Sequence, residues 1–160
     1  MSTGRRFEEL SQHAVGFLKQ KRAIALATSL ETDVRVRTVS FASRDLEVFF
    51  LTFEHSLKCR HIEANPNVAL CRDHVQIEGK AEVLGRADDP GNGVYADLLR
   101  EKFPDSFDAD AARPGMVIVR VKPTCVRVFR NSEGRYVVDS LDLVAQFVTT
   151  EDLAERRTQT

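Results

Sequence analysis

VRVRTVSFASRDLEVFFLTFEHSLK, residues 34–58, is the stretch that decides the fold. Residues 34–42 are rich in β-branched side chains, and residues 46–53 are almost continuously apolar. The first pattern is typical of a β-strand, and the second of a strand that is buried on both faces. Residues 43–45, Ser-Arg-Asp, have the short polar side chains that favour a turn. We therefore predict two antiparallel strands joined by a tight turn.

The second strand of this stretch leads into a predicted helix. Ser56 is placed to cap a helix over residues 57–65, which Pro66 would end. The first turn of a helix has free N–H groups and the positive end of the helix dipole, and both attract anions. Arg37 on the first strand, Thr52 on the second and Lys58 on the helix could converge there. The sequence thus predicts a site for a phosphate-bearing cofactor.

Composition and charge limit the remaining possibilities. The chain has 160 residues and a mass of 18.0 kDa, which is typical of one domain, residues 1–160. A net charge of −1 gives no basic field of the kind that duplex DNA binding needs. No apolar run approaches the ~20 residues of a membrane span, and the polar N-terminus resembles no signal peptide. We therefore expect a cytoplasmic protein whose three cysteines are reduced thiols.

The rest of the chain is predicted to be mostly strands. Gly79, inside one of them, suggests a β-bulge. A helix is expected over residues 94–103, loop with a possible helical turn over 104–114, and a helical or frayed end over 151–157. The N-terminal helix is predicted over residues 6–22, and further strands over 23–29, 68–72, 75–84, 116–121, 124–129 and 135–139.

These elements favour one architecture. Strands outnumber helices and most are separated by short turns, so pairing should be antiparallel. Six or so such strands close most economically into a barrel with helices at its ends. The predicted fold is mainly β (α+β), with an N-terminal helix in residues 1–22, a barrel with inserted helices in 23–139 and a C-terminal tail in 140–160.

The order of short motifs resembles that of a known family. ATS (27–29), RTVSF (37–41), FFLT (49–52), SLK (56–58), NPNVAL (65–70) and VQIEGKAEVL (75–84) follow one another along the chain. Over residues 23–84 this order is similar to the pyridoxamine 5′-phosphate oxidase-like family of FMN-binding split β-barrels. The resemblance implies an antiparallel six-stranded split β-barrel with flanking helices, and FMN as the cofactor.

The resemblance also implies roles for particular residues. Arg37 and Lys58 would bind the FMN phosphate, with help from Ser56 and Thr52. The residues expected beside the isoalloxazine ring are Thr38, Val39 and Ser40 on the first strand, Leu51 on the second, and His74. No catalytic residue and no metal ligand is implied.

Two departures argue against pyridoxamine phosphate as the substrate. The oxidase usually has two adjacent basic residues after the serine, whereas Leu57 occupies the first place here. Arg35 could partly replace that lost phosphate ligand. The oxidase's C-terminal segment with Arg and His also has no clear counterpart. The expected function is therefore an FMN-dependent oxidoreductase that acts on an unknown small substrate, as a homodimer with the flavin between subunits.

Several alternatives remain open at this stage. Arg37 and Lys58 could be solvated surface charges, and Ser56 only a helix cap. The protein could be a non-catalytic flavin-binding or flavin-sensing module, or a relative that uses deazaflavin or haem. The spacing of the histidines is unlike that of any metal site. The apolar half-faces of residues 117–121 and 126–129 are candidates for the dimer interface.

Overall fold

The computed structural model describes residues 2–154 and places most of them in one sheet and its flanking helices. None of the helices in this range combines the length and apolar composition needed to cross a bilayer. The helices are α1 (Thr3–Gln20), α2 (Leu57–Ala64), α3 (Gly93–Lys102, preceded by a 3-10 turn at Pro90–Asn92) and α4 (Phe107–Ala111). The strands are β1 (Ala23–Leu30), β2 (Asp33–Ser40), β3 (Ala42–Arg44), β4 (Glu47–Phe53), β5 (Asn67–Arg72), β6 (Val75–Gly85), β7 (Met116–Ser132), β8 (Arg135–Asp142) and β9 (Phe147–Asp152).

The sheet is antiparallel and does not close. Its strand order is β2-β1-β5-β6-β7-β4-β3, while β8 pairs with β7 and β9 with β8. β2 and β3 lie at opposite ends of this path and do not pair with each other. The barrel is therefore split between β2 and the hairpin formed by β3 and β4. The predicted antiparallel split β-barrel with flanking helices is confirmed, with nine strands in place of the expected six.

The tight turn predicted within residues 34–53 is present, but the strand predicted before it is interrupted at Phe41, so the turn joins β4 to the short β3 and not to β2. Phe41 is fully buried, and its backbone N–H donates to the carbonyl of Arg22 at 3.1 Å. The chain therefore turns into the core, and only the short β3 forms a hairpin with β4. As a result β2 and β4 are not hydrogen-bonded to each other, and they lie on either side of the opening in the barrel.

The core fills the barrel with side chains from the inward faces of the strands. Val117, Val119 and Val121 on β7 belong to it, as do Val126 and Val128 further along the same strand. Neighbouring strands and helices already cover these faces, so the prediction that they form a dimer interface is wrong. A second apolar cluster lies under α3 and α4 and consists of Ala42, Phe49, Tyr95, Ala96, Leu99, Phe107 and Ile118.

Gly79 forms the bulge that the sequence predicted. The register of β6 against β7 shifts between Glu78 and Gly79, where Gly79 faces Pro123. A Cβ at Gly79 would overlap the backbone carbonyl of Lys122. The strands approach too closely there for any residue except glycine.

The C-terminal residues add to the sheet. Residues 151 and 152 belong to β9, so the helical or frayed end predicted over 151–157 is wrong there, and residues 155–157 lie outside the described residues. Asp139 on β8 is fully buried and accepts hydrogen bonds from Arg6, Arg130 and Thr150. These bonds tie α1 and β9 to β8.

Candidate functional site

A cleft of about 400 Å³ occupies the opening of the barrel between β2 and β4. Its volume falls within the range of roughly 300–1,000 Å³ that small-molecule sites have. Residues of β2, β4 and the start of α2 form one side, and α3, α4 and the start of β7 form the other. The lining residues are Arg37, Thr38, Val39, Ser40, Leu51, Thr52, Phe53, Lys58, Leu99, Phe103, Ser106, Phe107, Asp110, Arg113 and Met116.

Seven of the nine predicted cofactor-binding residues line this cleft. They are the four on β2, the two on β4 and the lysine of α2. Residues more than ten positions apart thus come together because β2 and β4 flank the same opening. Their roles as FMN ligands stay predictions.

The cationic end of the cleft is formed by Arg37 and Lys58. Lys58 Nζ donates to Thr52 Oγ1 at 2.9 Å, and Arg37 Nη1 donates to Thr28 Oγ1 at 2.7 Å. Burial and the nearby Arg37 guanidinium lower the pKa of Lys58, so the two cations repel each other. Burial likewise lowers the pKa of Arg37. Within residues 2–154 neither side chain forms a salt bridge, although the Asp33 carboxylate attracts the Arg37 guanidinium electrostatically.

The strand that carries Arg37 also offers backbone groups. β2 is an edge strand, with β1 on one side and the opening on the other. Alternate N–H and C=O groups of an edge strand have no strand partner and can bind a ligand. Thr38, Val39 and Ser40 lie on this edge and line the cleft. A planar ligand with polar atoms along one side could therefore hydrogen-bond there.

The opposite wall comes from α3 and α4, which the sequence analysis did not assign to the site. Leu99, Phe103 and Phe107 form its apolar part, and because α3 ends at Lys102 and α4 begins at Phe107, no single helical periodicity indicated that they share a face. Arg113 and Asp110 add a polar rim, with Arg113 Nε 3.4 Å from Asp110 Oδ1. This wall is suited to covering a flat apolar ligand whose outer edge stays near water.

Ser56 lies beside the cleft rather than in it. The structure confirms it as the cap of α2, since its Oγ accepts from the backbone N–H of Cys59 at 3.4 Å. Arg35, the suggested substitute ligand, donates to Asp33 at 2.7 Å and is not among the lining residues. Because Arg35 lies outside the cleft lining, this placement does not support it as a substitute for the basic residue missing at Leu57.

His74 is also remote from the cleft lining. It lies in the turn between β5 and β6, where its Nε2 is 2.9 Å from His13 Nε2 and its ring packs edge-on against Phe17. Contact of His74 with a ring bound in the cleft of the same chain is not supported by this placement. Within residues 2–154, no group of three or more His, Cys, Asp or Glu side chains is arranged to hold a metal ion.

The fold and the cleft can now be compared with known proteins. The family model described as pyridoxamine 5′-phosphate oxidase matches residues 10–130, which is most of the chain. This chain belongs to the pyridoxamine 5′-phosphate oxidase family. The resemblance predicted from the motifs is therefore confirmed. Among the curated proteins, no sequence matches the chain.

Several solved structures share the fold at low sequence identity. ChuZ of Campylobacter jejuni has a TM-score of 0.73 and 14% identity, over 96% of this chain and 66% of that one. A pyridoxamine 5′-phosphate oxidase-related, FMN-binding protein of Nostoc punctiforme has a TM-score of 0.58 and 17% identity, over 97% and 98%. The haem storage protein HutZ of Vibrio cholerae has a TM-score of 0.56 and 18% identity, over 77% and 91%. These likenesses show the fold alone.

Proposed function

We propose that the cleft binds FMN and that the protein is an FMN-dependent oxidoreductase acting on a small substrate. The observation that carries this proposal is the cationic end of the cleft. Two cations face the same space and, among residues 2–154, neither forms a salt bridge, so a phosphate dianion would relieve their repulsion. The notion that Arg37 and Lys58 are unrelated surface charges does not explain why they converge.

The other end of the cleft fits the flavin ring. The edge of β2 at residues 38–40 would hydrogen-bond the polar side of the isoalloxazine, and Leu51 would support it from β4. Phe103 and Phe107 would cover the ring from the opposite wall. When bound, FMN supplies the redox chemistry, while the protein orients the ring and excludes water from it.

The polar rim of the cleft would control which substrate reaches the ring. Ser106, Asp110 and Arg113 lie on the wall across from β2. Because Arg113 and Asp110 form an exposed salt bridge with each other, a charged substrate could exchange for either partner at little cost. We therefore place substrate entry at α4.

We also propose that the protein is a homodimer. On the outer face of the sheet Val36 lies opposite Ala27, which in turn lies opposite Ala69, so an apolar row crosses three strands. Val36 is 71% exposed and Val34 is 69% exposed on the same face of β2. Because β2 also borders the cleft, a second copy docked on this face would lie next to the bound flavin, as the family resemblance implies.

The test of the proposed function begins with the purified protein. We expect flavin absorbance bands, release of FMN on heating as identified by mass spectrometry, and bleaching of the bands by NADH or NADPH. Flavin that binds but is reduced by no donor would support a non-catalytic flavin-binding module. A Soret band, or a released deazaflavin, would overturn FMN as the cofactor.

A further inference from the structure

His61 is a buried histidine with a partner for each ring nitrogen. It lies on α2, where it is 1% exposed. Its Nδ1 is 3.0 Å from Thr28 Oγ1 on β1, and its Nε2 is 3.3 Å from Asp33 Oδ2 at the start of β2. Buried polar groups need such partners, because an unsatisfied one is costly. Nothing in the proposed FMN contacts uses this histidine.

The direction of these hydrogen bonds follows from the groups involved. A guanidinium can only donate, so Arg37 Nη1 donates to Thr28 Oγ1 at 2.7 Å. The Thr28 hydroxyl can then donate a hydrogen bond, and His61 Nδ1 accepts that bond. In this arrangement the ring proton of a neutral His61 is on Nε2, where it faces the Asp33 carboxylate. Thr28 Oγ1 and both ring nitrogens of His61 have a partner in this arrangement.

This series holds the guanidinium that faces the cleft. A free arginine side chain has many rotamers, and ordering them on binding reduces affinity. Thr28 is 2% exposed, and a hydrogen bond from its hydroxyl proton to His61 Nδ1 would fix the orientation of the hydroxyl whose oxygen accepts from Arg37. Asp33, which Arg35 also holds at 2.7 Å, fixes the histidine in turn.

We propose that His61 is a positioning residue, which acts through Thr28 to preset Arg37 for the phosphate of the bound nucleotide. This inference rests on the proposed function, since it assumes that Arg37 binds phosphate. His61 does not line the cleft and touches no ligand in this account. Its contribution is specificity for a phosphorylated ligand over the same ligand without phosphate.

The test compares the affinities of FMN and riboflavin for the apo protein, because riboflavin lacks only the phosphate. Thr28→Val removes the hydroxyl with almost no change of volume, and His61→Leu removes both ring nitrogens. We expect each variant to bind FMN about 5- to 20-fold more weakly, as for loss of a charge-assisted hydrogen-bond network, and riboflavin within about 2-fold of wild type. Equal losses for both ligands would instead mean that His61 only anchors α2 to β1.

Two further variants separate this inference from the proposed function. His61→Asn places an amide oxygen near the position of Nδ1, so we expect it to keep most of the FMN affinity that His61→Leu loses. Arg37→Gln should weaken FMN binding, and adding Thr28→Val to it should cost nothing more. If Arg37→Gln leaves FMN affinity unchanged, the phosphate site itself is refuted. If Arg37→Gln weakens FMN binding but Thr28→Val and His61→Leu do not, only the positioning role is refuted.

Discussion

Replacement of the two cleft cations gives the sharpest prediction of the phosphate site. In Arg37→Gln/Lys58→Met both charges are lost, while chain length and most of the apolar contact area are kept. Both side chains are only partly buried, so each charge-assisted bond to phosphate is assigned ~1.5–2 kcal/mol, the lower part of the usual range. The sum of ~3–4 kcal/mol corresponds to FMN binding that is about 100- to 1,000-fold weaker.

The assay is a titration of the apo protein with FMN, followed by quenching of flavin fluorescence. Each single variant should bind FMN about 10- to 30-fold more weakly, and riboflavin affinity should stay within ~3-fold throughout. Lys122→Met is the matched control, because Lys122 is an exposed lysine on β7 that does not line the cleft. The reasoning is refuted if the double variant binds FMN within ~3-fold of wild type, or if riboflavin binding falls by as much as FMN binding.

Three further predictions concern the frame around the cleft. Burial alone would raise the pKa of Asp139, but hydrogen bonds from Arg130, Thr150 and Arg6 lower it below 3.8. Asp139→Asn should therefore lower the free energy of unfolding, measured in urea at pH 6, by ~2–4 kcal/mol. This difference from wild type should shrink as the pH falls below 3.8 and Asp139 of the wild type becomes protonated. A difference that does not change with pH would contradict this prediction. Gly79→Ala should lower the free energy of unfolding by ~1–3 kcal/mol. Gly16→Ala in α1 should raise it by ~0.5–1 kcal/mol, because nothing lies within 4 Å of the added Cβ. Equal effects of the two substitutions would count against the close approach of the strands at the bulge. Val36→Glu should convert the proposed dimer to a monomer in light scattering without changing the urea midpoint, and a wild-type monomer at micromolar concentration would remove the dimer proposal.

Local sequence patterns were sufficient to predict much of the fold. Ser56 and Pro66 bracket α2 because capping and the steric effect of proline act within a few residues. Gly79 predicted the bulge since only a residue without a side chain fits there. Cleft residues on β2 and β4 were found through the motif resemblance, which carries information about tertiary arrangement that periodicity lacks.

Other features depend on contacts between distant residues and were missed. Phe41 ends β2 by entering the core, yet in sequence it continues a run of strand-forming residues. The β9 strand forms because β8 offers it an edge, and its own sequence is largely polar. The partnership of His61 with Thr28 joins residues 33 positions apart, and no local spacing indicates it.

The most direct test of the central claim is a crystal structure of the protein with FMN. The account predicts the phosphate within hydrogen-bond distance of both the Arg37 guanidinium and the Lys58 ammonium, with the ring along residues 38–40 of β2. A phosphate bound away from these two side chains, or a ring outside the opening between β2 and β4, would contradict it.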